Sequence, residues 1–231
     1  MALPEGDELV ERLSGLGADW AALVESLAAA CQQAGQPLSL AALLFALRDI
    51  PYGPPQGEDT AQAVLAQWRG TGEGKHLLAH SALDRLALKP RFWMAQYRLS
   101  AEAAWLPAAL RERLPALGVW DVHHFLTAEL LGRTCRIDLT WPVSLAAEGL
   151  PTTRHWAPGR DFSVAVVSAL AVPVPVAEMP RRKRDWLEAL NGDEAALHQE
   201  AVAELTAFVE AHQPCPALRE ALVRSVASLY P

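Results

Sequence analysis

The chain has 231 residues, of which 51% are apolar and 20% are charged, a balance typical of a globular protein and not of a disordered one. Its formal net charge of -7 argues against a dedicated nucleic-acid-binding protein, and no apolar run is long enough to cross a bilayer. The acidic N-terminus and the three scattered cysteines favour a cytoplasmic protein without a disulfide framework or a CxxC metal site.

The apolar residues in the N-terminal part of the chain recur at helical spacing. This pattern predicts one or two helices over residues 7–34, with a break near residues 15–17. Ser39 is a suitable N-cap for a short apolar helix that ends near Leu47. Residues 53–57, which read Gly-Pro-Pro-Gln-Gly, cannot continue a helix and predict a loop.

A Gly-rich turn follows the next short helix, whose N-cap is Asp59 or Thr60. The turn spans residues 70–74 and opens a longer amphipathic helix, which ends at the Lys-Pro pair of residues 89–90. Residues 91–99 are rich in aromatic and apolar side chains and predict a strand. These segments predict that the helical part of the chain ends here and the sheet begins.

The second half of the chain contains a predicted hairpin. Residues 122–130 and 134–139 have the pattern of strands, and the Leu-Gly-Arg turn of residues 131–133 joins them. After a loop, residues 162–170 are a further strand candidate. From residue 185 to about residue 229, the apolar positions predict helices.

These elements predict an α+β fold, with a small antiparallel sheet packed on helices and helical extensions at both ends. Pro173 and Pro175 break the strand pattern, and the basic run at residues 181–184 is interpreted as a solvated linker. We therefore expect two units. The first, residues 1–180, includes the N-terminal helices, and the second, residues 181–231, is a C-terminal helical extension.

One series of residues carries chemical information: a Gly-rich turn that opens a helix, a strand bearing His123 and a paired strand bearing Asp138. Cysteine-based acyl-transfer enzymes use such an arrangement. A helix N-terminus stabilises the thiolate, a histidine takes its proton and an aspartate orients the imidazole. Counting back from Gly132 favours His123 as the partner of Asp138, whereas a register slip of one residue would substitute His124.

Four segments in this order resemble the transglutaminase-like superfamily, which has a papain-like Cys-His-Asp site. Bacterial members often read Ile-Pro-Tyr, then Gly-Thr-Cys-Ser-Gly-Lys-His, then a strand with a histidine, then Val-Asp-Ala-Thr-Trp. This chain has Asp-Ile-Pro-Tyr at 49–52, Arg-Gly-Thr-Gly-Glu-Gly-Lys-His at 69–76, His-His-Phe at 123–125 and Gly-Arg-Thr-Cys-Arg-Ile-Asp-Leu-Thr-Trp at 132–141. The resemblance covers roughly residues 40–145 and implies a transglutaminase-like core.

At the position of the family's nucleophilic cysteine this chain has Gly72, so no thiolate and no acyl-enzyme can form there. The resemblance then implies a pseudoenzyme, a peptide- or protein-binding module that has lost its catalytic cysteine. We expect a remnant dyad of His123 and Asp138. The residues expected to line the binding cleft are Gly72, Glu73, Tyr52, Trp120 and Trp141.

Two other functions stay open at this point. His123, with Glu73 or Asp138, could activate water or an amine for attack on a bound acyl group, giving hydrolysis or amide formation without a covalent intermediate. Alternatively, the cleft is inert and the C-terminal helices bind a partner.

No cofactor and no metal are expected. His76 and His80 have the spacing of two zinc ligands on one helix, but no glutamate follows His76 as in HExxH, and His76 belongs to the family motif. The predicted partner is a peptide or protein, not a nucleic acid or a membrane. The dominance of arginine over lysine is typical of a GC-rich bacterial genome.

Overall fold

A computed structural model describes residues 2–214 and 217–229 of the chain. Five helices come first: α1 (Gly6–Ser14), α2 (Ala18–Gln33), α3 (Leu40–Arg48), α4 (Ala61–Gln67) and α5 (Gly72–Arg85). Four strands and a short helix follow: β1 (Arg91–Leu99), α6 (Ala108–Arg113), β2 (Val119–Leu130), β3 (Arg133–Ile137) and β4 (Leu170–Pro173). The last helices are α7 (Met179–Asn191), α8 (Ala195–His212) and α9 (Leu218–Leu229). Short 3-10 helices lie at Val143–Glu148, Val176–Glu178 and Gly192–Glu194.

The four strands form one antiparallel sheet in the order β3-β2-β1-β4. The predicted hairpin is confirmed, and the turn between β2 and β3 uses Leu131 and Gly132 with φ angles of 52° and 79°. The sheet is antiparallel, and most helices lie before or after it along the chain. The predicted α+β class is therefore confirmed.

The strand predicted over residues 162–170 is wrong. Residues 161–169 are irregular, and β4 begins only at Leu170. Phe162 is buried without belonging to a strand, since its side chain packs in the main core and its N–H donates to the carbonyl of Arg136 at the outer edge of β3 (2.9 Å). Because β4 is an edge strand, Pro173 can end it without removing a bond from the inner sheet.

Hydroxyl side chains begin three of the helices. Ser39, Thr60 and Thr71 each accept a backbone N–H from the first turn of α3, α4 and α5, at 3.2 Å in all three cases. Thr60, not Asp59, is therefore the N-cap of α4. Asp59 instead reaches α5, where it accepts the hydroxyl of Thr71 and the N–H of Gly74.

Two hydrophobic cores pack against the two faces of the sheet. The larger core joins the N-terminal helices to one face, represented by Met94 and Leu126, and also includes Leu222 of α9. The second core lies on the opposite face, where Tyr97 packs in the same cluster as Leu205 of α8. Helices from the C-terminal part of the chain thus contribute to both cores.

The basic run at residues 181–184 lies within α7, so its interpretation as a linker is wrong. Pro180 occupies the first turn of α7, where its missing N–H removes no helical bond. The helix therefore begins before the basic residues and continues through them. Within the described parts of the chain, no helix is long and apolar enough to span a membrane.

Candidate functional site

A cavity of about 510 Å³ lies where the N-terminus of α5, the first half of β2 and helix α8 meet. It brings together most of the predicted site residues. These are Tyr52, Gly72, Glu73, His123 and Trp141. The opposite wall consists of residues from α8, namely Val202, Ala203, Leu205, Thr206, Ala207 and Glu210. The C-terminal part of the chain therefore completes the cavity.

His123 and Asp138 make the predicted contact. Nε2 of His123 lies 2.8 Å from Oδ2 of Asp138 and donates to it, since an ionised carboxylate can only accept. The carboxylate also accepts the N–H of Ala165 (2.8 Å) and the N–H and hydroxyl of Thr140 (3.1 and 2.7 Å). Burial alone would raise the pKa of Asp138, but the charge and hydrogen bond of His123 lower it well below its ordinary value. Asp138 thus stays anionic and orients the His123 ring.

The second ring nitrogen of His123 is available to a ligand. His123 lines the cavity, and no group of the described chain forms a hydrogen bond with its Nδ1. Tyr97 restrains the ring from another side, with the two rings edge to face at 6.2 Å. An imidazole held in this way can accept a proton from a bound molecule or form a hydrogen bond with it.

Position 72 has room for a side chain. Gly72 is the first residue of α5, and a Cβ there would lie 3.2 Å from Cγ2 and Oγ1 of Thr140, so Thr140 would need to move by only a few tenths of an ångström. Gly74 differs, because a Cβ at that position would overlap the carboxylate of Asp59. Packing therefore requires glycine at position 74 but not at position 72.

The inner side of α5 holds a buried lysine whose donors are satisfied by the fold. Nζ of Lys75 donates to the carbonyls of three residues, Arg48 (2.6 Å), Ile50 (3.0 Å) and Thr140 (3.1 Å). Burial lowers the pKa of Lys75 to about 7, although the charge of Asp49 acts in the opposite direction. Lys75 thus ties α5 to two other segments of the chain and is not exposed to the cavity.

His76 is also satisfied within the fold. Its Nδ1–H donates to the carbonyl of Gly72 (2.5 Å), and its Nε2 accepts the N–H of Leu139 (2.8 Å). Burial lowers the pKa of His76 to about 4, against the opposing charge of Asp138. Because both ring nitrogens are engaged, His76 cannot share a metal ion with His80 in this conformation. The described residues contain no cluster of three metal-ligating side chains.

Tyr52 and Trp141 form an aromatic wall of the same cavity, and two N–H donors of residues that line it have no partner. Tyr52 and Trp141 pack with ring centroids 4.7 Å apart, and burial followed by the charge of Asp121 raises the pKa of Tyr52 well above its ordinary value. Nε1 of Trp141 is buried without an acceptor. The N–H of Gly72, at the start of α5, also has no acceptor among the described residues. The N–H of Gly72, at the start of a helix that lines the cavity, favours a ligand that supplies an acceptor oxygen.

Other polar residues of the site were not predicted. Nζ of Lys183 in α7 lies 2.7 Å from Oε2 of Glu73. Asp121 accepts the hydroxyl of Tyr97 (2.6 Å) and contacts Nε2 of His198 in α8 (3.0 Å). Burial alone would raise the pKa of Asp121, but the hydrogen bonds from His198 and Tyr97 lower it.

The sequence contains a signal for only one of these residues. Asp121 lies two positions before His123 on the same strand, so the two side chains share a face of the sheet. Lys183 and His198 follow the motif segments by more than 40 residues, and no local pattern connects them with the site.

Trp120 lies outside the cavity, although the sequence predicts it there. It alternates with His123 along β2, so it points to the other face of the sheet, where the guanidinium of Arg98 lies 4.1 Å from its ring. His124 borders the cavity, and its Nε2 is buried without a partner. Since His123 and not His124 contacts Asp138, the predicted register is confirmed.

The cysteines do not replace the missing nucleophile in the described part of the chain. Cys31 and Cys135 are buried and unpaired, and neither lines the cavity. Desolvation raises the pKa of both thiols. Cys215 lies outside the described residues.

No protein-family model, no curated protein and no solved structure matches this chain. The chemistry of the site follows from its own groups: a buried His–Asp pair, two unpartnered N–H donors, an ion pair and an aromatic wall around one cavity. Such a set can bind acceptor oxygens and can move a proton. It cannot form an acyl-enzyme at position 72, which has no nucleophilic side chain.

Proposed function

We propose that this chain is a transglutaminase-like protein without its catalytic cysteine, and that it binds a peptide or protein segment in the cavity beside His123. The proposal depends on the contact of His123 with Asp138 next to position 72, where packing leaves room for a side chain and the sequence has none. The order of the four motif segments along the chain supports a transglutaminase-like core.

The unpartnered groups of the cavity support a carbonyl- or carboxylate-bearing ligand. The N–H of Gly72 can only donate, and the N-terminus of α5 carries a partial positive charge. A peptide supplies carbonyl oxygens in regular succession. The aromatic wall of Tyr52 and Trp141 can cover the apolar part of such a ligand.

A thiol introduced by Gly72→Cys tests the proposal. Its alkylation by iodoacetamide is measured as a function of pH. The alkylation of the parent protein is subtracted, which removes the contribution of the native cysteines. The matched control is Ala61→Cys, since Ala61 is the first residue of α4 and follows Thr60 as Gly72 follows Thr71. We expect a thiol pKa at position 72 well below the ordinary value of about 8.5, and a value at position 61 much closer to it.

The contribution of His123 is separated by adding His123→Ala to Gly72→Cys. We expect this second substitution to raise the thiol pKa toward that of the control, because the imidazole no longer stabilises the thiolate. Equal thiol pKa values at positions 72 and 61 would show that His123 and the helix N-terminus do not converge on position 72. The proposal would then be rejected.

A second candidate function is hydrolysis by an activated water molecule. The observation that favours it is the unbound Nδ1 of His123, whose Nε2 is held by Asp138. In this reaction Nδ1 takes a proton from water as the water oxygen attacks a bound carbonyl, and Asp138 stabilises the resulting imidazolium. The imidazolium then gives the proton to the leaving oxygen or nitrogen as the carbonyl re-forms and the acyl bond breaks.

The probe for this candidate is p-nitrophenyl acetate. The control is His155→Ala, since His155 is exposed and reports the background rate of a surface histidine. We expect the hydrolysis rate to fall in His123→Ala and to stay at the parent value in His155→Ala. A rate that His123→Ala leaves unchanged excludes this candidate.

A further inference from the structure

The outer edge of β2 is only partly covered by a neighbouring strand. β3 pairs with residues 126–130 of β2, whereas β1 pairs with residues 119–127. Residues 119–125 therefore have a strand on one side only. This stretch, which we call the open edge, borders the cavity through residues 121–124.

Hydrogen-bond directions in β1 identify which groups of the open edge point outward. In an antiparallel pair, the N–H and C=O of one residue point to the same neighbouring strand, and successive residues alternate. The carbonyl of Phe92 accepts the N–H of Val174, on the β4 side of β1 (2.9 Å). Odd-numbered residues of β1 therefore bond to β2, and the register pairs them with odd-numbered residues there, such as Ala95 with His123. The even-numbered residues of β2 consequently point outward.

One outward residue already has a substitute for a neighbouring strand. Oδ1 of Asn191 accepts the N–H of Trp120, and Nδ2 of Asn191 donates to the carbonyl of Trp120, both at 2.9 Å. This is what a peptide group of an adjacent strand would do. Because Asn191 is the last residue of α7, that helix contacts the open edge at its C-terminal end.

The next two outward residues, Val122 and His124, have no such substitute. No group in the described ranges bonds to their outward N–H or C=O. Both residues are at least nine-tenths buried, and buried backbone groups nearly always have a partner. The two positions are about 7 Å apart, the spacing of alternate residues in an extended chain.

We propose that the ligand is an extended segment of another polypeptide, which binds as an added strand along the open edge and exchanges main-chain hydrogen bonds with Val122 and His124. This inference rests on the proposed function and specifies its ligand. The ligand residue opposite His123 places its side chain on the same face of the sheet as His123 and Tyr97. Main-chain bonds then supply affinity, and the cavity selects one side chain.

Random seven-residue peptides displayed on phage and selected against the full-length protein test this binding mode. Val122→Pro removes one outward N–H without touching a bond to β1, and Val122→Thr, which has a similar shape, keeps that N–H. We expect selected peptides to bind Val122→Pro about tenfold more weakly than the parent, and Val122→Thr with an affinity within about twofold of the parent.

A modified ligand gives a measurement that does not depend on how well Val122→Pro folds. A selected peptide is resynthesised with one N-methyl group at each position in turn and titrated against the unaltered protein. We expect methylation at alternate positions to abolish binding, because those N–H groups donate to the open edge, and methylation between them to be tolerated. A loss without this alternation would overturn the proposal.

The remaining outcomes separate this inference from the proposed function. The selected peptides could bind the parent, Val122→Pro and Val122→Thr equally and fail to bind Gly72→Leu. This outcome would reject strand addition and would still support a ligand in the cavity. Failure to select any peptide would also reject strand addition, whereas the thiol measurement at position 72 decides the proposed function independently. If the parent protein forms a dimer and Val122→Pro abolishes it, the occupant of the open edge is a second copy of the chain. That result would overturn the proposal.

Discussion

The first turn of α5 has two sides that differ in how their polar groups are satisfied. On the inner side, Lys75 and His76 are fully buried, and each of their side-chain nitrogens has a partner within the fold. On the cavity side, the N–H of Gly72, Nε1 of Trp141 and Nδ1 of His123 have no partner among the described residues.

This difference separates residues that hold the fold together from residues that can hold a ligand. A buried polar group without a partner costs about 1 to 3 kcal/mol, so a fold retains few of them. His76 and His123 lie beside the same carboxylate, with their Nε2 atoms 3.7 and 2.8 Å from Asp138, but they differ in whether both ring nitrogens have a partner. Only His123 keeps a nitrogen that a ligand can use.

The largest effect is expected from Lys75→Met. Three buried carbonyls would lose their donor, and we expect the free energy of unfolding to fall by about 3 to 5 kcal/mol. The same substitution at the cavity, Lys183→Met, breaks the ion pair with Glu73. Because the Lys183 side chain is 33% exposed, we expect the free energy of unfolding to fall by about 1 kcal/mol or less. Urea unfolding followed by circular dichroism measures both values. Similar losses for the two variants would contradict the distinction between the two sides.

Acid should destabilise the inner side through His76. Its neutral Nε2 accepts the N–H of Leu139, which a protonated ring cannot do, and its pKa is about 4 against an ordinary 6.5. As the pH falls below 6.5, the unfolded chain binds this proton before the folded protein does. Stability is therefore lost progressively down to pH 4, by an amount on the order of 3 kcal/mol.

Unfolding free energies at pH 7 and pH 4 check this expectation in the parent, in His76→Gln and in His155→Gln. We expect His76→Gln to lose less stability on acidification than the parent. His155→Gln should match the parent, because His155 is exposed. Equal acid losses in all three proteins would rule out His76 as a source of the acid sensitivity.

Smaller effects than those at Lys75 and His76 are expected at the two glycines of α5. In Gly74→Ala the new Cβ overlaps the carboxylate of Asp59, and we expect the free energy of unfolding to fall by about 1 to 3 kcal/mol. In Gly72→Ala the crowding against Thr140 is slight and the helical backbone is ordinary, so we expect stability within about 0.5 kcal/mol of the parent. Thermal unfolding of the two variants measures the difference. Equal losses at both positions would mean that the space at position 72 is needed by the fold.

The parts of the fold that depend on neighbouring residues were predictable from the sequence. Ser39 begins α3 as predicted, Thr60 is one of the two caps predicted for α4, and the turn at Leu131 and Gly132 sets the register that brings His123 to Asp138. The prediction failed for residues 162–170, where Phe162, Ala165 and Val166 are buried by packing without belonging to a strand. It also failed at residues 181–184, because a basic run cannot be distinguished from a charged helix face by composition alone.

The sequence by itself determined most of the order of the elements, the position of the hairpin turn and the absence of a side chain at position 72. Only the tertiary structure decided which polar groups are left without a partner. Trp141 and Gly72 are 69 residues apart in the chain, and the wall of α8 and the contact of Lys183 with Glu73 involve still longer separations. Whether a buried donor is satisfied depends on such distant contacts, and local periodicity carries no information about them.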